Sequence, residues 1–205
     1  MSVSAPSAEA TRDRIADVAE QLFRSMGYQK TAVADIAREL GMSPANIYRF
    51  FASKSAINEA ITARLLEGVS TTLEALAGGE GSAEARLRAI TDSLLQQSMS
   101  LFFHEKRMHD MVTAAMSEHW GVIRLYVERY LAILTRCIED GMASGEFAPG
   151  DAAGAARAVK NCTMVWHHPE LMAECLRQIR TPEEMAADLR AAMDLLLAGL
   201  KRGAR

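Results

Sequence analysis

The sequence predicts an all-α protein, and two observations carry that prediction. Apolar residues recur at spacings of three and four along almost the whole chain, which is the period of an amphipathic helix. No window alternates apolar and polar residues with enrichment in β-branched side chains, as a half-buried strand would. The expected architecture is a small N-terminal domain of three helices followed by a larger helical bundle, with roughly nine or ten helices in all.

The first two helices are separated by glycine and by a predicted capping residue. An apolar stripe over residues 9–26 predicts the first helix, which ends at Gly27 because glycine tolerates left-handed backbone geometry. Thr31 is the expected N-cap of a short second helix that runs to Leu40. Each of these boundaries rests on local chemistry alone.

The third and fourth helices have clear start signals. Ser43 as N-cap, with Pro44 in the first helical position, predicts a short helix that runs to about Phe51. Ser53 caps a long fourth helix, which the glycine-rich residues 78–82 end. The third helix therefore follows the second after a turn of about three residues.

Further helices are marked by stripes and breaks in the rest of the chain. A long periodic segment ends between Gly141 and Gly145, and Asp151 is the expected cap of the next helix. Pro169 interrupts or restarts that helix. Thr181 and Glu184 have the spacing of a capping box and predict the start of the last helix.

Composition limits the class of protein. The 205 residues are 49% hydrophobic and 24% charged, which is ordinary for a globular chain. Three cysteines without a CxxC pair favour a reducing compartment, and no apolar run reaches the roughly 18 residues of a membrane span. We therefore expect a cytoplasmic protein with no membrane partner.

Charge alone makes only a weak case for binding DNA. The net charge of −3 argues against a basic surface over the whole molecule. Residues 1–56 carry seven Lys or Arg against six Asp or Glu, so the N-terminal part is only slightly basic. A DNA-binding role must rest on the pattern of residues instead.

Residues 31–51 have the pattern of a helix-turn-helix motif. Apolar residues face inward from both helices, Gly41 permits the sharp turn, and Ala37 permits close approach of the helices. If the second helix of this motif lies in a major groove, the outward residues of its first half meet the DNA. With the flanking Thr31 and Lys54, the predicted DNA-binding residues are Thr31, Ser43, Pro44, Ala45, Asn46, Tyr48, Arg49 and Lys54.

The outward side chains suit different contacts. Asn46 can pair with an adenine edge, and Ala45 can touch a thymine methyl group. Arg49 can reach a guanine or a phosphate. Tyr48 and Lys54 are better suited to phosphates, which position a protein without reading the base sequence.

This stretch resembles the DNA-binding domain of TetR/AcrR regulators over about the first 65 residues. The matching elements are Phe23, Gly27, Tyr28, Thr31, Asp35, Ile36, Ala37, Leu40, Gly41, Ser43, Ile47, Tyr48, Phe51 and Lys54. The resemblance implies that Tyr48 and Lys54 contact phosphates and that residues 44–49 read bases. It also implies a DNA-binding domain over 9–54 and a ligand-binding and dimerisation domain over 55–205.

The chain departs from the family pattern at two positions. Phe50 stands where relatives often have Tyr or His, so one polar contact to DNA is missing. Pro44 stands where Lys or Arg is frequent, which removes a positive charge from the start of the helix.

In the C-terminal domain, the resemblance implies a cavity framed by the middle helices and a dimer interface formed by the last two long ones. Methionine and aromatic residues with a few polar atoms suit a pocket for a small, largely apolar effector, although such stripes are more often core. The pocket candidates are Met99, Phe102, Phe103, His104, Met108, Met111, Met116, Trp120, Ile123, Tyr126, Tyr130 and Met164. The dimer candidates on the last helix are Met185, Leu189, Ala192, Met193, Leu196 and Leu200.

The predicted function is a homodimeric repressor that an unknown small-molecule effector releases from a palindromic site on double-stranded DNA. One alternative is a constitutive DNA-binding protein with no effector and a filled C-terminal core. A helical enzyme is the other, but HExxH, GxSxG and phosphate-loop motifs are absent from the sequence, so we expect no enzyme. The spacing of Cys162, His167, His168 and Cys175 fits no common zinc site, and we expect neither metal nor cofactor.

Overall fold

The computed structural model describes residues 7–118, 120–178 and 181–202, with the side chains of 117–120 left out. The described residues form ten α-helices and a 3₁₀ turn, with no strand among them, which confirms the all-α prediction. The helices are α1 (Ala8–Met26), α2 (Val33–Leu40), α3 (Pro44–Tyr48), α4 (Lys54–Ala77), α5 (Ala83–His104), α6 (Lys106–Glu118), α7 (Trp120–Ala143), α8 (Ala152–Thr163), α9 (Pro169–Arg177) and α10 (Pro182–Arg202). The 3₁₀ turn, Met164–Trp166, lies between α8 and α9. No described helix is both long enough and apolar enough to cross a membrane.

The chain divides into two compact units. The first contains the chain up to Leu66 together with Glu105–Ile123, and the second contains Glu67–His104 together with the chain from Arg124 onward. The helices α4 and α7 therefore contribute residues to both units. The domain boundary expected between residues 54 and 55 was drawn between a DNA-binding and a ligand-binding part, and it does not coincide with the limits of the two compact units. The assignment of these two functional domains stays a prediction.

The core of the first unit is built by α1 to α3 and by parts of α4 and α6. The rings of Phe23 and Tyr28 meet edge to face, with centroids 5.2 Å apart. Further buried side chains of this unit are Ile15, Ala19, Ile36, Ile47, Phe51, Ile57, Ile61, Met108 and Met111. Burial of this apolar surface holds the short helices α2 and α3, which are too short to be stable alone.

The core of the second unit contains the inward face of α10. Met185, Leu189 and Met193 are each 1–2% exposed in the single chain and pack with α5, α7 and α8 in one apolar cluster. The prediction that these three residues form the dimer interface is therefore wrong, because their surface is already buried within the protomer. Ala192, Leu196 and Leu200 are half-buried.

Most predicted helix starts are confirmed. Ser43 accepts a hydrogen bond from the backbone N–H of Asn46 at 3.2 Å, and Ser53 and Asp151 cap their helices in the same way. The last helix has the full capping box, in which Thr181 accepts from the N–H of Glu184 at 3.2 Å and the Glu184 carboxylate accepts from the N–H of Thr181 at 2.9 Å.

Two local predictions are wrong. Thr31 does not cap α2, because its hydroxyl donates to the carbonyl of Gly27 at 2.9 Å and the helix begins at Val33. The Asp35 carboxylate instead accepts from the N–H of Ala32 at 2.9 Å. The helix α3 ends at Tyr48 rather than near residue 51, and the chain continues in turns.

Candidate nucleic-acid interface

The helix pair α2 and α3 is fixed by a glycine turn and by buried aliphatic side chains. Gly41 has φ +65°, a left-handed conformation that other residues seldom adopt. The N–H of Met42 donates to the carbonyl of Ala37 at 2.8 Å and closes the end of α2. Ile36 and Ile47 are fully buried, so the pair has one face in the core and the other in solvent.

The solvent face of α3 contains most of the predicted DNA-binding residues. Tyr48 is 52% exposed, a large fraction for an aromatic side chain, and Asn46 is half-buried. The remaining exposed members of this face are Ser43, Pro44, Ala45 and Arg49. The "α3 face" below means these six residues. It presents a hydroxyl, an amide, a guanidinium and a small apolar side chain on one short helix, which is the mixture that base edges and phosphates require.

Thr31 does not belong to the α3 face. Its residue surface is 1% exposed, and its hydroxyl is used within the loop before α2. Its side chain therefore has no free surface to offer a ligand as large as DNA.

Lys54, the first residue of α4, is tied to the loop before α2. Its ammonium group donates to the carbonyls of Tyr28 at 2.8 Å and Thr31 at 3.1 Å. The Nζ atom also lies 4.3 Å from the centroid of the Tyr28 ring. An ammonium group has three N–H donors, so one remains for the predicted phosphate contact.

Arg12 contacts the chain just after α3 and was not among the predicted site residues. Its guanidinium donates to the carbonyl of Phe50, and its Cζ lies 4.0 Å from the centroid of the Phe51 ring. These contacts join α1 to the chain just after α3, across 38 positions in sequence. No local pattern could have indicated them.

The start of α2 is acidic. The Ala32 N–H and, next, the Arg38 side chain hold the pKa of Asp35 below its ordinary value. Arg38 donates to Asp35 at 2.7 Å on the exposed side of α2. Arg38 is paired with this carboxylate, whereas Arg49 in the α3 face and Lys30 in the loop before α2 are exposed cations.

The predicted pocket residues are divided between the two units. Met108, Met111, Met116 and Ile123 belong to the first unit, where Met108 and Met111 are buried in the core. Phe102, Phe103, His104, Tyr126 and Met164 belong to the second unit, where Phe103 and His104 are exposed. The side chain of Trp120 lies outside the described part of the chain. A ligand role for these residues stays a prediction.

No metal-binding group of three or more His, Cys, Asp or Glu side chains occurs within the described residues. Cys162 is exposed and Cys175 half-buried, while His167 and His168 follow the 3₁₀ turn.

Comparison with known proteins supports a regulatory class. A family model described as bacterial regulatory proteins, tetR family, matches residues 15–61. A second, described as tetracyclin repressor-like, C-terminal domain, matches residues 83–187, which is half of the chain. The second match covers the part of the chain that contains the fewest specific sequence motifs.

Individual relatives agree with the family models. The chain is 31% identical over 91 residues to the probable HTH-type transcriptional regulator YttP of Bacillus subtilis (strain 168), covering 43% of this chain and 44% of that protein. It is 35% identical over 85 residues to the HTH-type transcriptional regulator BetI of Escherichia coli O17:K52:H18 (strain UMN026 / ExPEC), covering 40% and 43%. The chain thus matches less than half the length of these curated relatives.

A solved structure extends the likeness in fold to nearly the whole chain. The crystal structure of a TetR-family transcriptional regulator from Pectobacterium atrosepticum has a TM-score of 0.73 at 20% identity and covers 97% of both chains.

The fold and the matched models define a bacterial regulatory protein with an N-terminal helix-turn-helix. The chain belongs to the TetR family. The prediction that it is not an enzyme is confirmed, because members of this family are non-enzymatic transcription factors.

Proposed function

We propose that this protein is a homodimeric repressor that reads a palindromic DNA site with its α3 face and leaves that site when a small, largely apolar effector binds the second unit. The observation that carries the proposal is the α3 face itself. It is a largely polar surface with one exposed aromatic side chain, Tyr48, on a helix pair whose other side buries Ile36 and Ile47. A surface of this kind is rigid enough to preserve the spacing of its side chains against base edges.

The α3 face divides into reading and positioning groups. Asn46 can make paired hydrogen bonds to adenine, while Ala45 offers a methyl contact for thymine. Tyr48 projects its hydroxyl into solvent, where it suits a phosphate. Arg49 carries the only positive charge of the α3 face, so it supplies the salt-dependent part of the affinity from this surface.

A dimer needs a surface other than the buried stripe of α10. On the opposite side of that helix, Leu195 is 78% exposed, the largest exposed fraction among the large hydrophobic residues described. Ala187, Ala191 and Ala198 are also exposed and lie at helical spacing from Leu195. The proposed two-fold interface uses this face, since small residues allow two helices to approach closely around a central leucine.

The dimer proposal is tested by replacing Leu195 with glutamate and measuring mass by sedimentation. Leu195→Glu should give a monomer and lose tight DNA binding, because two equivalent α3 faces must act together on a palindrome. Leu125→Glu is the matched control, since Leu125 is 61% exposed on α7 and should tolerate a charge. A dimeric Leu195→Glu protein would contradict the proposed interface.

The DNA proposal is tested by selecting sites from a random duplex pool at near-physiological salt, without effector. Enrichment of an inverted repeat is expected. On the selected site, Asn46→Ala should weaken discrimination at one base pair by about 1–3 kcal/mol. Tyr48→Ala should weaken binding to all sequences alike.

Two further variants separate specific contacts from general charge. Arg49→Met should weaken binding, and if Arg49 contacts a phosphate the salt slope should fall by about 0.9. Lys106→Met removes the same charge at an exposed position of α6, outside the α3 face. It should change neither the DNA affinity nor the salt slope. Equal effects of both variants, or no enriched site for a folded dimer, would contradict the proposed reading surface.

A further inference from the structure

The core of the second unit contains polar atoms that have no hydrogen-bond partner among the described residues. Besides Arg86 Nε on α5, they include Tyr130 Oη on α7, together with His167 Nε2 and His168 Nδ1 in the break between α8 and α9. Tyr130 is 1% exposed, so water does not reach its hydroxyl from the surface. Such atoms are uncommon in folded proteins, because each costs free energy until a partner binds it.

Two of these groups are neighbours. The rings of Tyr130 and His167 meet edge to face, with centroids 5.7 Å apart and planes at 84°. On its other side, Tyr130 is stacked with Tyr126 at a centroid distance of 6.4 Å. The side chains of Tyr130 and His167 therefore lie in one aromatic cluster.

The hydroxyl protons of two neighbouring side chains are used in bonds to backbone carbonyls. Thr163 interacts with the Tyr130 hydroxyl without hydrogen-bond geometry, and it donates its own proton to the carbonyl of Val159 at 2.8 Å. Ser98 donates to the backbone carbonyl of His167 at 3.3 Å, which holds the backbone and leaves the imidazole unused. The cluster thus keeps a phenol donor and an imidazole nitrogen available.

Partly buried apolar side chains occur at the break between α8 and α9 and on α5. The helix α8 ends at Thr163, the chain makes one 3₁₀ turn, and Pro169 starts α9. Met164 and Trp166 of that turn are half-buried, and Phe102 of α5 packs against the same apolar core. Apolar surfaces with a few converging polar atoms are typical of small-molecule sites.

We propose that Tyr130 and His167 bind the polar group of an uncharged effector, an alcohol, phenol or ketone whose apolar body packs against Met164, Trp166 and Phe102. This inference rests on the proposed function, since it specifies the chemistry of the effector that would release DNA. It assigns the recognition to two residues that each have one buried polar atom without a hydrogen-bond partner among the described residues. Tyr130 was among the predicted pocket residues, whereas His167 was not.

Burial keeps the two recognition groups of the cluster uncharged. Burial, with smaller contributions from His168 and Lys160, lowers the pKa of His167 to about 4, so its imidazole is uncharged near neutral pH. Burial raises the pKa of Tyr130, which therefore remains a proton donor. A carboxylate or ammonium group would lose its hydration here without gaining an opposite charge from either residue.

The test compares probes with one apolar body and different head groups. The probes are 2-naphthylmethanol, 2-acetonaphthone, 2-naphthoate, 2-naphthylmethylammonium and 2-methylnaphthalene, with 1-octanol, octanoate and octylammonium as a second series. Binding to the full-length protein is measured by calorimetry and by the shift in Tm. Both neutral polar classes should bind more tightly than their charged counterparts.

Tyr130→Phe separates a ligand contact from a structural role. It should weaken binding of 2-naphthylmethanol about tenfold, the cost of one hydrogen bond to a buried group, and leave 2-methylnaphthalene unchanged. The Tm without probe should stay the same or rise, because the variant removes a buried hydroxyl that lacks a partner. Tyr48→Phe makes the same chemical change in the other unit and should leave probe binding unchanged.

Three results would overturn the inference. They are equal binding of neutral and charged probes, no binding of any neutral polar probe, and a Tyr130→Phe protein with lowered Tm and unchanged probe affinity. The last result would show that an internal water satisfies the hydroxyl. Site selection from random DNA is measured separately, so a protein that selects an inverted repeat but fails these tests contradicts only the effector chemistry.

Discussion

Replacing Lys54 with methionine tests how the DNA-reading helix is held. Methionine keeps an unbranched side chain of similar length but removes the charge and all three donors. The change breaks the hydrogen bonds to the carbonyls of Tyr28 and Thr31 and the contact with the Tyr28 ring. The loop between α1 and α2 then loses its link to α4.

The magnitude follows from these contacts. Hydrogen bonds from charged donors contribute about 1.5–3 kcal/mol when buried, and the partial exposure of Lys54 reduces each to about 1 kcal/mol. The cation–π contact adds about 0.5 kcal/mol. We expect Lys54→Met to lower the free energy of unfolding of the first unit by about 2–3 kcal/mol.

The assay is urea unfolding of the full-length protein, followed by DNA binding at several salt concentrations. Lys30→Met is the matched control, because Lys30 is an exposed lysine of the same loop and its removal should change stability by less than about 0.5 kcal/mol. A stability loss for Lys54→Met no larger than the control would refute the structural role. A salt slope equal to that of the wild type would refute the predicted phosphate contact, which should account for about 0.9 of the slope.

Substitutions at three further positions test local features of the fold by urea unfolding. Gly41→Ala should cost about 1 kcal/mol from backbone strain at φ +65°, since an added Cβ meets nothing within 4 Å; Gly41→Asn should cost less, and equal costs would refute the strain argument. Thr181→Ala should cost about 1 kcal/mol by removing the acceptor for the Glu184 N–H, whereas Thr181→Ser should keep most of that stability. Gly141→Ala should cost about 1–3 kcal/mol because its Cβ would clash with the buried ring of Phe147, and a neutral effect would show that the ring can move aside.

The helices were predictable because their signals are local. Ser43, Asp151 and Thr181 cap helices through bonds to backbone groups three residues ahead, so neighbouring residues suffice to locate those starts. The exposure of Tyr48 opposite the buried Ile47 also follows from helical periodicity. The helix-turn-helix motif and its solvent-exposed face could therefore be predicted from the sequence.

The proposed dimer interface could not be predicted from the sequence in the same way. An apolar stripe shows that one side of α10 is buried, but the same stripe results whether it packs within the chain or across a two-fold axis. The core of the second unit covers Met185, Leu189 and Met193, and leaves Leu195 on the opposite side. Only the packing of α10 against α5 and α8 shows which side of the helix is buried within the protomer.

By itself, the sequence determined the all-α class, most of the helix boundaries and the face of α3 that meets solvent, since each depends on residues within a few positions of one another. Tertiary structure alone decided the contacts that join distant residues. These include the hydrogen bond from Arg12 to the carbonyl of Phe50 just after α3. They also include the two carbonyls bound by Lys54 and the edge-to-face contact of Tyr130 with His167. Periodicity specifies which side of a helix is buried, whereas the identity of the partner depends on how all the helices pack together.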